Sequence, residues 1–216
     1  MYFFFTSNCL ENRTLVLVQS IIILLLMFER VDKKSAVSQS FIDTYRPYFK
    51  EQSYPAKTVL LEEGKIAHKI FWIKKGCMRV WMNKDGQEIT FQFFLENSLV
   101  SSIESFWQGT ASKFTLETIE PTIVWEAEKV AIQPLLEESL TQPVYRDLFI
   151  DVLFQRTFDY VNHSLSFVQS TPEERYLQLC QTRPELIQRI PQHYIASYIG
   201  ISKVHLSRIK SKQLKR

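Results

Sequence analysis

The sequence predicts an α+β protein, with short antiparallel strands first and helices after them. Three observations carry that reading. Short apolar and β-branched runs between residues 58 and 127 are punctuated by Gly64, Gly76, Gly86 and Gly109, four of the chain's five glycines, as in an antiparallel barrel or sandwich. An apolar seam then repeats at helical spacing between residues 154 and 168. Residues 192–210 finally read as two short helices hinged at Gly200.

The first thirty residues form an apolar extension. Residues 14–28 are largely apolar, broken by Gln19 and Ser20, and fall short of the roughly 18–20 residues of a spanning helix. Residues 1–12 carry Glu11 and no lysine or arginine, so the basic start of a secretory signal is missing. A membrane anchor, a signal peptide and an upstream start, with synthesis beginning at Met27, are the three competing readings. The abrupt change of composition at Glu29 favours the upstream start.

Phe41, Ile42, Tyr45 and Phe49 give residues 38–49 helical spacing, a lead-in helix. Strands are expected at 58–61, 70–73, 78–82 and 89–94, the last two joined by a hairpin at Asn83-Lys-Asp-Gly86, because Asp-Gly tolerates the positive φ of a primed turn. A second pair is expected at 113–119 and 122–127, around Glu120-Pro121. Residues 128–138 return to helix, and a longer helix begins near Val144. In it Phe154, Phe158, Val161, Leu165 and Val168 recur at spacings of four, three, four and three. That is a coiled-coil seam of about two heptads, the pattern of a dimer contact. The domain reading is a strand domain over 35–141, a long dimerisation helix over 142–170 and a helical unit over 171–216.

Thr171 can cap the next helix, with Pro172 at its first position and Glu173 and Glu174 complementing the helix dipole. Tyr176, Leu177 and Cys180 are read as inward, and Arg183-Pro184 as the stop. In the hinged pair, Ile195, Ala196 and Ile199 form the apolar face of the first helix. Gly200 suits a turn that needs positive φ, and Ser202 suits the next N-cap. Leu206 and Ile209 then face inward while Lys203, His205, Ser207, Arg208 and Lys212 face out. Small Ala196, hinge Gly200, and apolar Leu206 and Ile209 fall where a helix-turn-helix needs them.

Charge is unevenly distributed. The net charge is +3, yet the last sixteen residues hold six basic side chains and no acidic one. The remainder of the chain therefore sums to −3, and a basic end on a mildly acidic body suits a polyanionic partner. Cys9, Cys77 and Cys180 are isolated, with no zinc spacing and no disulfide framework. His68, His163, His193 and His205 form no metal-ligand pair, and there is neither a GxGxxG nor a P-loop. No enzyme, metal or cofactor is expected.

In order, these features resemble the Crp/Fnr family of bacterial transcription regulators. The resemblance spans roughly residues 38–212 and rests on Glu63-Gly64, Ile70-Phe-Trp-Ile-Lys-Lys-Gly76, Asp85-Gly86-Gln-Glu-Ile89, Thr171-Pro-Glu-Glu-Arg-Tyr-Leu177 and residues 195–209. It implies a jelly-roll-like β-roll sensor domain, a double-stranded β-helix of the cyclic-nucleotide-binding type. It also implies a cytoplasmic homodimer that reads a palindromic site in double-stranded DNA, with RNA polymerase as a further partner. The reading helix would be residues 202–213, with Lys203, Val204 and Arg208 at base edges. Arg208 can contact a guanine bidentately, whereas Lys203 is less selective and Val204 offers only apolar contact. His205 and Ser207 would meet phosphates or water, and Lys210 and Lys212 would add salt-dependent affinity. The six residues after Lys210 leave no room for the β-hairpin wing that many relatives add.

The resemblance also places an effector pocket. The family's Gly-Glu position falls on Ser101-Ser102, with Glu104 displaced nearby, and its Arg-Ser position on Ala111-Ser112, followed by Lys113. Losing the arginine removes the bidentate partner of a cyclic phosphate, so cyclic AMP is not the expected effector, and the effector stays unnamed. Three scattered cysteines cannot ligate an iron–sulfur cluster. The alternative function is a degenerate module of this kind acting through a protein partner, at a membrane if residues 1–30 are an anchor.

Overall fold

The computed structural model describes residues 46–139, 141 and 143–213. The apolar extension over 1–30, most of the lead-in helix, and Lys215 and Arg216 of the basic end lie outside them. No helix among the described residues is long and apolar enough to cross a membrane.

Among the described residues, eight strands form two four-stranded antiparallel sheets. They are β1 (Lys50–Tyr54), β2 (Val59–Leu61), β3 (Lys69–Lys75), β4 (Met78–Lys84), β5 (Gln87–Phe94), β6 (Leu99–Val100), β7 (Thr115–Thr118) and β8 (Thr122–Glu128). One sheet has the order β1-β8-β3-β6 and the other β2-β7-β4-β5. This is an antiparallel β-roll, and helices follow it. Phe71, Ile73 and Val124 of the first sheet and Met78, Phe94 and Leu116 of the second pack into one buried cluster between the two.

The start differs from expectation. Arg46–Tyr48 is a short 3-10 helix, Phe49 has left it, and Lys50 already opens a strand. β1 is almost wholly exposed and lies at a sheet edge, paired with β8. Backbone hydrogen bonds rather than apolar side chains put Lys-Glu-Gln-Ser-Tyr into the sheet, so no alternation marks it. The β4–β5 hairpin turns at Asp85 and Gly86, both at positive φ (54° and 80°), as a primed turn requires.

The same hairpin carries a bulge. Val80 faces Gln92 but Trp81 faces Thr90, so Phe91 is the extra residue. A bulge resets the alternation of a strand. Phe91, Gln92 and Phe94 therefore border the interior, while Phe93 packs on Tyr198 of the C-terminal helices, ring centroids 5.1 Å apart.

A short helix, α1 (Ile103–Gln108), is inserted after β6, and α2 (Lys129–Ser139) follows β8. Then comes α3 (Pro143–Gln169), 27 residues or about 40 Å at 1.5 Å per residue. The C-terminal unit is α4 (Pro172–Thr182), α5 (Pro184–Arg189), α6 (Gln192–Tyr198) and α7 (Lys203–Gln213). α4 starts on a full capping box. Thr171 N–H donates to Glu174 Oε2 at 2.7 Å, and Glu174 N–H donates to Thr171 Oγ1 at 3.3 Å. Tyr176 and Leu179 are its buried residues, whereas Leu177, expected inward, is half-buried. Leu179 lies three residues beyond Tyr176 on the same helical face, which Leu177 does not.

Candidate functional site

The outward face of α7 is the first candidate. Leu206 and Ile209 are buried, which turns Lys203, Val204, His205, Ser207 and Arg208 to the exposed side. Ser202 accepts the His205 N–H through its side chain at 3.2 Å, capping the helix. Val204 is 61% exposed, an apolar side chain amid polar ones. Lys210 is half-buried. Lys212 is engaged within the chain, its Nζ 2.9 Å from Glu173 Oε2.

The turn before α7 is fixed from three sides. Gly200 has φ +75°, and a Cβ there would stand 2.8 Å from Phe167 Cε1 of α3. Both the backbone angle and the close approach demand glycine. Arg175 of α4 donates through Nε to Ile199 O at 3.1 Å and through Nη1 to Ser170 O at 2.6 Å, and its guanidinium lies over the Phe167 ring at 4.7 Å. Ala196 is buried where α6 meets α7. The four positions singled out for the hinged pair (Ala196, Gly200, Leu206, Ile209) thus lie together in the packing of these two helices.

The C-terminal unit is docked on the outer face of the β4–β5 hairpin. Cys77, Phe93 and Ile119 of the roll join one apolar cluster with Tyr194, Ile195, Tyr198, Leu206 and Ile209. Burial pushes the Cys77 thiol up to about 12, so it is an inert core residue. Ser197 Oγ donates to Glu88 O at 2.7 Å and accepts the Thr90 N–H at 2.9 Å. Arg79 of β4, 1% exposed, donates to Glu117 Oε2 through Nε (2.9 Å) and Nη2 (2.6 Å) and to Glu88 at 2.5 Å. The Tyr194 ring covers its guanidinium at 3.7 Å.

Arg189 of α5 closes the far side of this joint. It makes a two-pronged contact with Glu96, both distances 2.8 Å, and also pairs with Glu120. Glu96 further accepts the Gly76 N–H at 2.8 Å. Arg189 above all, then the Gly76 N–H, lowers the Glu96 pKa from its ordinary 4.5 to about 2, against the opposing effect of burial. A folded-state pKa below the unfolded one gives stability that is complete above about 4.5 and lost as pH falls through about 2. Denaturant midpoints of the full chain should therefore drop across that window. Glu96→Gln should lie below the parent at neutral pH and should flatten this acid limb.

None of Arg79, Glu117, Arg189, Glu96 or Ser197 stands out in the sequence. Charged and hydroxyl side chains in strands and on helices read as solvated, and only the tertiary packing covers them.

The second candidate is a cavity of about 400 Å³ between the sheets and α3. Ser101, Ser102 and Glu104 of the expected effector set line it. Ser112 lies behind them, its Oγ 2.9 Å from Ser102 Oγ and donating to Phe114 O at 2.7 Å. Ala111 is exposed and bridges Ile66. Lys113 was expected inside a strand, but β7 begins only at Thr115, because Ser112 folds back on Phe114. Lys113 Nζ instead meets both Glu104 oxygens, at 2.9 and 2.8 Å. Thr157 and Tyr160 of α3 complete the wall, and neither is marked by local pattern or spacing.

Along α3, Phe154, Phe158, Val161, Leu165 and Val168 are 42% to 84% exposed. Phe154 and Phe158 stack at 6.1 Å. The apolar seam is thus uncovered along one side of the described chain. Among the described residues, no group of three or more histidine, cysteine or acidic side chains could hold a metal ion.

No curated protein matches the sequence. Among solved structures, the c-di-GMP responsive global regulator CLP of Xanthomonas campestris is similar at TM-score 0.66 and 18% identity, over 82% of this chain and 92% of CLP. FixK2 of Bradyrhizobium japonicum gives 0.62 and 16%, over 77% and 85%. A CooA mutant from Carboxydothermus hydrogenoformans gives 0.60 and 16%, over 88% and 84%. Residues 51–139 match the family model of the cyclic nucleotide-binding domain, and the fold of the described chain is similar to that of these three proteins.

Proposed function

We propose that the chain is a DNA-binding transcriptional regulator of the Crp/Fnr type. On this reading residues 35–141 are the sensor, 142–170 the dimerisation helix and 171–216 the DNA-binding unit, with α6 and α7 as its helix-turn-helix. The observation that carries it is the exposed face of α7. It presents Lys203, His205, Ser207 and Arg208 beside an exposed Val204, on a helix held rigidly from below by Leu206 and Ile209. A cationic donor set with one apolar member is what a major groove accepts, the guanidinium at a guanine edge and the valine at a thymine methyl. Lys212 spends part of its charge on Glu173, so Lys203 and Arg208 are the main carriers of affinity. Two copies joined along the seam of α3 would present two such helices to successive major grooves, about 34 Å apart.

The test is selection of a duplex from random sequence, followed by titration. Affinity should fall steeply with salt. Arg208→Ala should weaken the selected site about 5- to 150-fold and relax its preference at one base pair, since a bidentate contact discriminates by about 1–3 kcal/mol. Lys203→Ala should act more uniformly across sequences. Salt-insensitive binding that Arg208→Ala leaves unchanged would show that α7 does not read DNA.

A further inference from the structure

The cavity's lining specifies the kind of molecule it takes. Among the described residues, Glu104 and Tyr160 are its ionisable lining residues, and Glu104 is already paired with Lys113. No lysine, arginine or histidine among the described residues lines it. Two of the lining hydroxyls are engaged by the backbone. Ser101 Oγ donates to Lys69 O at 2.9 Å, and Thr115 Oγ1 accepts the Glu63 N–H at 3.1 Å. Lys113, the described cation beside the lining, is held by both Glu104 oxygens, so an anionic phosphate placed here would have to compete with that carboxylate for it.

What the cavity does offer is an aromatic row. Phe91, delivered by the bulge, stacks on Phe114 at 5.3 Å and on Tyr160 at 5.8 Å, with interplanar angles of 24° and 18°. Leu61, Val80 and Leu116 supply apolar walls. A volume of about 400 Å³ lies within the range of small-molecule sites, which are commonly apolar with few polar groups.

The geometry points to a binding site for a small, uncharged, largely apolar molecule with a planar aromatic part, and not for a cyclic nucleotide. This deepens the regulator reading, on which the link from ligand to α3 rests. Tyr160 and Thr157 belong to the cavity wall, so an occupant touches the helix whose neighbouring face carries the seam.

The experiment uses the full chain without DNA, so that failure of DNA binding does not bear on it. The neutral fluorescent probe N-phenyl-1-naphthylamine is titrated against the protein. One probe per chain should bind saturably, with affinity unchanged by ionic strength, and an excess of cyclic AMP should not displace it. Val80→Phe and Leu61→Phe, which fill the cavity from two strands, should each weaken binding at least tenfold with an unchanged circular dichroism spectrum. If either variant fails to fold, the other decides. Absence of saturable binding, displacement by cyclic AMP, or full affinity in a folded cavity-filling variant would overturn the assignment.

Discussion

Arg79→Ala is expected to cost about 3–5 kcal/mol of stability, the usual consequence of breaking a buried ion pair from one side. Arg79 is essentially inaccessible, and its Glu117 partner is 8% exposed. Removing the guanidinium strands the Glu117 carboxylate in an environment that disfavours its charge. It also withdraws the cation beneath the Tyr194 ring, a contact worth roughly 0.5–2 kcal/mol. The loss should appear as a large drop in the urea midpoint. Replacing both partners by apolar side chains of similar size, Arg79→Met with Glu117→Leu, should recover much of it, because neither then leaves a buried charge behind. A single Arg79→Ala variant costing less than about 1 kcal/mol would mean that water reaches Glu117 and that the joint is looser than its geometry.

If the seam of α3 joins two copies as proposed, Phe158→Glu should leave the protein a folded monomer. Phe158 is 56% exposed on the described chain and stacks on Phe154, so the fold of one copy does not depend on burying it. In a seam shared by two copies, Phe158 would meet its own symmetry mate or a near neighbour. Two glutamates brought there would be desolvated and mutually repelled, while two aromatic rings would be lost. Sedimentation should show half the parent mass. Affinity for a palindromic site should fall at least a hundredfold, since each half would bind alone without the effective concentration that linkage supplies. Asn162→Glu, also exposed but about 80° from the seam on a helical wheel, should leave the mass unchanged. A Phe158→Glu variant that sediments like its parent would place any self-association elsewhere.

How far the sequence reaches differs from one element to the next. The strands 78–82 and 89–94 and their Asp-Gly turn are legible because the apolar residues and the turn chemistry are both local. Leu206 and Ile209 are legible for the same reason, as their spacing alone selects a buried face. β1 is not, since its polar residues enter the sheet through backbone pairing. β6 and α1 escape because two and six residues are too few to show a period. The bulge at Phe91 is the instructive failure. Strict alternation puts Phe91 and Phe93 on one face and Gln92 and Phe94 on the other, and one extra residue breaks that pairing. The aromatic row follows from that break. Of the effector set, the family resemblance named Ser101, Ser102 and Glu104, and these three line the cavity. The partnership of Lys113 with Glu104 depends on where β7 begins, which only the folded roll decides.

The seam residues and the cavity residues of α3 interleave along one stretch of chain. Thr157 and Tyr160 sit about 70° and about 130° around the helix from the line through Phe154, Phe158, Val161 and Leu165, at 3.6 residues per turn. Inserting or deleting a single residue between Tyr160 and Leu165 would swing everything beyond it by about 100°. His163, stacked on Tyr198 at 4.5 Å, and Phe167, packed against Gly200, would swing with it. This segment of the helix therefore tolerates changes of side chain far better than changes of length. Descendants of this chain should vary here by substitution alone.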